Sequence, residues 1–346
     1  MVPAATITAG LQYSEAKELF ENINMPFVGR TRFEEVQNEF AKQVQTLVST
    51  EDKAMIRSLT ERYYWNQIGV DMEFDEQHSR PQRYGSQAPF ATCTFIDQIS
   101  KKIIYQCHVD SAACDKINVK CKAKASRNIG LKYLAINLPK FSHVTSDKCS
   151  GAIKSINDLK KNNIKFKDVL HHYDIWHIQK SLGTKFSTLR SQRLKKYGPY
   201  TFPHLQKIDI GKLKKHFQYS ASNADGDELQ FAVTWMGFAD HVVEKGLIPI
   251  ESNDYKALVQ FLDGYLLSAK NISYGKSTAN CESFHAVANK YCRKGIKQTF
   301  TMYCGRKGLA RMVWNWEKTE VGSSIDKKKK TIQLILQAIL NTKLNQ

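Results

Sequence analysis

No run of 18 or more consecutive apolar residues occurs in this chain, which excludes a membrane-spanning helix. The opening MVPAATITAG lacks both the charged start and the long apolar stretch of a secretory signal, so no leader is expected. Cysteine occurs eight times but never as a CxxC pair. Cys107, Cys114 and Cys121 recur every seven residues without the close pairing that zinc sites use, so the expectation is reduced thiols in an intracellular protein. There is no internal repeat and no low-complexity tract. What remains is 346 residues, 42% hydrophobic and 24% charged, enough for one large domain with an insertion or for two to three smaller units.

Acidic residues are scarce in one place only. Residues 101–220 hold 7 Asp+Glu against 25 Lys+Arg, whereas the other 226 residues hold 26 of each, so the net charge of +18 lies in one block. A basic block in an otherwise neutral chain reads as a polyanion-binding surface, against the plain alternative of a solvated face. Its interleaved aromatics (Tyr133, Phe141, Phe166, Tyr173, Trp176, Phe186, Tyr197) suit nucleic acid better than a membrane.

The hydrophobic spacing gives a coarse element order. Residues 11–60 read as helices: SEAKELFENI with a Ser cap, then RFEEVQNEFAKQVQTLV with Phe33, Val36, Phe40, Val44 and Leu47 on one face. Strands are expected at 66–76, 90–97 and 103–109, a basic helical segment at 110–138, a strand at 141–147 and a helix at 151–162. A further strand is expected at 166–176, then helices from 180 to about 275, including 229–246 and 253–270, and another at 277–292 capped by Ser277 or Thr278. Three antiparallel strands followed by strands in parallel is the order of a ribonuclease H-like mixed five-stranded α/β sheet with flanking helices. The expected divisions are an N-terminal helical segment (1–62), the first part of the core (63–180), an all-helical insertion (181–275), closing helices (276–320) and a basic C-terminal tail (321–346) carrying KKKK at 327–330.

In such a sheet the first and fourth strands are neighbours. Asp71 lies in the first, with Asp75 four residues on, and Asp147 ends the fourth; a late helix carrying Glu282 can lie across them. Three converging carboxylates suit a pair of Mg2+ or Mn2+ ions, which clamp the attacking and leaving oxygens of a phosphodiester displacement. Strand-end acids are common, however, and 33 Asp+Glu are present.

HHYDIWHIQKSL, residues 171–182, resembles the HxxDxWHxxKxL segment of Kolobok-type and related Mutator-like eukaryotic DDE transposases. Further segments resemble that family in the same order: GLQYSEAKELFENINMPFVGRTRFEEVQNE, DMEFDEQHSRPQRYGSQAPFATCTFID, SHVTSDKCSGAIK, and CESFHAVANKYCRKG with MYCGRKGLARMVWNW. The likeness covers about residues 10–318. It implies that Asp71, Asp147 and Glu282 are the metal ligands, with the 135-residue gap between the last two filled by a helical insertion. It also implies that Asp174 and His177 form the acid–histidine pair between them, either at the scissile phosphate or holding the strand-to-helix junction. Trp176 and Lys180 belong to the same segment, and Arg306, with Lys307, is a candidate phosphate contact.

The sequence also departs from the pattern. Met72 follows the first Asp where a small residue is usual, the loop after it reads DEQHSRP, the helix before the second Asp is basic and contains Cys, and no THAP-type finger precedes the first helices. The resemblance therefore implies a nuclear, Mg2+-dependent DNA transposase and nuclease that acts on double-stranded DNA, does not bind membranes and can form homo-oligomers. The rival is a domesticated, catalytically inactive DNA-binding protein derived from one; a nuclease acting on RNA–DNA hybrids is a more distant reading.

Overall fold

A computed structural model describes Thr6, Ala9 and residues 11–79, 88–116, 121–193 and 199–319. The tail from 320 onward, with its lysine run, and most of the loop after the first strand lie outside the described residues.

The early helical pattern forms α1 (Tyr13–Asn22) and α2 (Arg30–Asn66). The cap of α1 is Gln12, not the expected Ser14: its backbone N–H donates to Glu15 at 2.8 Å in a reciprocal capping pair. α2 is 37 residues long and ends at Gln67, whose φ of +56° turns the chain. The first strand therefore starts four residues later than expected, as β1 (Val70–His78). It pairs antiparallel with β2 (Ala91–Asp97), Met72 opposite Asp97 and His78 opposite Ala91. β2 pairs antiparallel with β3 (Ile103–Val109), and Arg62 of α2 grips the Asp97 carboxylate through two hydrogen bonds of 2.8 and 2.9 Å.

After α3 (Ser111–Lys116) and α4 (Lys122–Asn137) come β4 (Phe141–Ser146), α5 (Ser150–Asn162) and β5 (Leu170–Tyr173). β4 and β5 are parallel, and the sheet order is β3-β2-β1-β4-β5, an open, mixed, five-stranded sheet flanked by helices. β5 has four residues rather than the eleven expected over 166–176, because Phe166 closes a 3-10 turn and Asp174 already caps the next helix. The remaining helices are α6 (Ile175–Arg190), α7 (Ile210–Asn223), α8 (Glu228–Glu244), α9 (Asn253–Asp263), α10 (Ala269–Ile272), α11 (Ala279–Tyr291) and α12 (Phe300–Glu317).

The described residues divide into two compact units: those within 1–142, 158–168 and 280–346 form one, those within 143–157 and 169–279 the other. In the first unit, one face of the β1–β3 meander rests on α4. Phe74 packs on Phe95 with ring centres 5.6 Å apart, and Gly130 lets α4 approach, since a Cβ there would come within 2.3 Å of the Phe95 ring. The other face is covered by α2, α11 and α12 through Phe40, Val44, Ile96, Ile103, Phe284 and Trp314. The second unit is built on an aromatic core in which Phe217, Trp235 and Tyr265 meet edge to face. The Trp235 indole N–H donates to the Leu262 carbonyl at 3.0 Å, which satisfies its one polar atom.

Candidate functional site

The junction between β5 and α6 is built around Asp174, 1% exposed. Its backbone N–H donates to Ser146 O at 2.9 Å, which ties it to the end of β4. Its side chain caps α6: Oδ1 accepts the Trp176 N–H at 2.8 Å. Oδ2 accepts from His177 Nδ1 at 2.7 Å and from the Thr278 hydroxyl at 2.5 Å. The spacing of three between Asp174 and His177 is thus the spacing from a cap to the first turn of the helix it caps.

His177 Nδ1 also lies 2.8 Å from Asp147 Oδ1, immediately after β4. One N–H cannot point at two acceptors equally. The better-directed bond goes to Asp174, and Asp147 Oδ1, shielded from solvent, faces the ring as an ion pair. Contacts with Asp147 and then Asp174 outweigh burial and push the His177 ring up to about 10, so it is an imidazolium at neutral pH. Burial raises the Asp174 carboxyl, but hydrogen bonds from His177, Thr278 and the Trp176 N–H outweigh it and hold the group below the usual carboxylate value. Asp147, Asp174 and His177 each bring one ligand-type atom within 4.8 Å of the others, a cluster that a cation could join. The solvent-shielded Asp147 oxygen already meets the His177 imidazolium at 2.8 Å, and the protonated Nδ1 does not ligate a cation while it keeps its proton.

Trp176 is half exposed, and Lys180 Nζ lies 5.3 Å from the centre of its ring. Both are on the outward side of α6. Arg306 and Lys307, the candidate phosphate contacts, are each only 2% exposed. Arg306 donates to the carbonyls of Tyr291 (3.2 Å) and Leu11 (3.1 Å), and Lys307 donates to Gln77 beneath the Tyr303 ring. They are buried cations of α12, in which every residue from Met302 to Asn315 is buried.

The other acids lie in the first unit. Asp71 is the second residue of β1 and half-buried; Glu282 is in the first turn of α11 and exposed. Asp75 Oδ2 is 3.4 Å from His285 Nδ1. The sequence reading missed Glu73, 0% exposed, which accepts from the Cys281 N–H (2.7 Å), Asn280 Nδ2 (3.0 Å) and Gln98 Nε2 (3.1 Å). The available signal was its place on the polar side of a strand whose sheet is covered on both faces. No family model matches the chain, and no curated protein does so either. No helix among the described residues is long and apolar enough to cross a membrane.

Proposed function

We propose that this chain is the catalytic region of a DDE-type DNA transposase with a ribonuclease H-like core. The observation that carries this reading is the placing of the three acids along the strand order: Asp71 on β1, Asp147 directly after β4, and Glu282 opening α11, in a sheet ordered β3-β2-β1-β4-β5. In this reading Asp71, Asp147 and Glu282 hold Mg2+ or Mn2+, which supplies Lewis-acid activation of a water or a 3′-hydroxyl and of the scissile phosphate. Asp147 and Asp174 together keep His177 protonated, and Asp174 holds it in one orientation; the imidazolium in turn fixes the Asp147 carboxylate and offers positive charge toward a phosphate. Lysines of α6 and α7 neutralise the backbone of duplex DNA, which adds affinity without sequence choice. A nuclear location and self-association belong to the same proposal.

The rival, a DNA-binding protein without catalysis, draws on the basic surface alone: residues 175–208 hold seven Lys+Arg and no Asp or Glu. Nicking of supercoiled plasmid separates the two. The catalytic reading expects nicking that needs Mg2+ or Mn2+ and falls by about a hundredfold or more in Asp147→Asn, the loss of several kcal/mol of transition-state stabilisation. Equal nicking by both proteins, or none by either while both bind DNA, would remove it.

A further inference from the structure

β1 alternates Asp71, Glu73, Asp75 and Gln77 on one side with Met72, Phe74, Glu76 and His78 on the other. The polar side is not a solvent face. Glu73, Asp75 and Gln77 are 0, 9 and 4% exposed, and each meets α11. Glu73 takes the N–H of Cys281, Asp75 stands beside His285, and Gln77 donates to Asn289 Oδ1 at 3.1 Å. Steps of two along the strand, about 6.7 Å, match steps of four along the helix, about 6 Å, so three rungs stay in register.

Glu73 is the rung beside the acids. It lies two residues after Asp71 on the same strand face, and it grips the residue just before Glu282. Three donors converge on it, and only a group with no donor of its own satisfies all three. One of them is a free N–H at the start of a helix, where negative charge is favoured. A shift of α11 by one residue would strip a buried carboxylate of donors, a costly outcome.

Resting on the catalytic reading above, we propose that Glu73 is a positioning residue: its carboxylate locks the first turn of α11 so that Glu282 is held in fixed register with Asp71 for cation binding. It touches neither substrate nor metal.

The full chain is titrated with Mn2+ alone, with free Mn2+ followed by electron paramagnetic resonance, and plasmid nicking is measured across the same concentrations. Glu73→Gln, which keeps size but presents a donor to donors, is expected to raise the half-saturating Mn2+ concentration about tenfold, as losses of supporting partners do at metal sites. Plasmid affinity should stay unchanged. Asn280→Ala, at a partly exposed partner, should shift it the same way by less, and it decides the matter if Glu73→Gln does not fold. If Glu73→Gln and Asn280→Ala bind Mn2+ like the unaltered chain while only the melting temperature drops, Glu73 is a helix cap and the proposal is overturned. If the unaltered chain binds no Mn2+, or Asp71→Asn binds it equally well, the catalytic reading fails and takes this proposal with it.

Discussion

Asp174 caps a helix, anchors a strand end and holds an imidazolium with a single carboxylate. Removing it as Asp174→Ala should cost about 3 kcal/mol, roughly 1 for the cap and the rest for charge-assisted bonds to His177 and Thr278. Asp174→Asn keeps an acceptor for the Trp176 N–H and should cost about half as much; urea unfolding measures both. His285 gives a second test at this scale. Loss of hydration, helped by the charges of Lys307 and Lys294, pushes its ring down to about 3, and outweighs Asp75 at 3.4 Å. A histidine that is neutral in the fold and titrates near 6.5 when unfolded takes up its proton first in the unfolded chain. That stability is intact above pH 6.5 and is lost as pH falls toward 3; urea midpoints in His285→Gln should fall less steeply over that window. The Asp174–His177 pair was read from the resemblance alone, with its role left open; the cap that joins the two spans only three residues of sequence. Glu73 was not read at all, because alternating polar residues on a strand read as a solvent face until a helix distant in sequence is known to cover them.

At the scale of elements, the crossing of α2 and α12 is set by small residues. A Cβ on Gly305 would lie 2.4 Å from Ala41 Cβ and 2.7 Å from Ala41 Cα, and one on Gly308 would lie 2.9 Å from Val48. Alanine gains about 1 kcal/mol over glycine inside a helix, but overpacking against backbone costs about 1–3. Gly305→Ala should therefore destabilise by up to about 2 kcal/mol, read as a lower melting temperature; a more stable variant would show the helices free to separate. The same pair of helices shows why boundaries were harder to read than elements. The buried stripe of α2 includes Asp52, whose charge Arg311 meets at 2.5 Å, so the apolar period breaks although the helix continues to Asn66. α12 looks amphipathic on paper, with Arg306, Lys307 and Arg311, yet all three are buried against carbonyls, an amide and a carboxylate. Residue charge predicts exposure only where no partner waits inside.

Across the whole molecule, the succession of strands and helices along the chain followed from hydrophobic spacing, because those patterns are local. The division into two compact units did not, since it depends on contacts between segments far apart in the chain. The charge excess was plain in the composition, and its consequence is measurable. Binding to random duplex DNA should weaken steeply with salt. Replacing exposed Lys180 and Lys212 by Gln should reduce the slope of log affinity against log salt by about one for every phosphate those lysines neutralise. An unchanged slope would place the DNA surface elsewhere.

The proposal that Asp71, Asp147 and Glu282 hold divalent ions is tested most directly by crystals soaked in Mn2+. The account predicts anomalous scattering peaks with oxygens of all three acids in contact, and their loss in Asp147→Asn. A map with no peak, or one confined to Asp174 and His177, would contradict it.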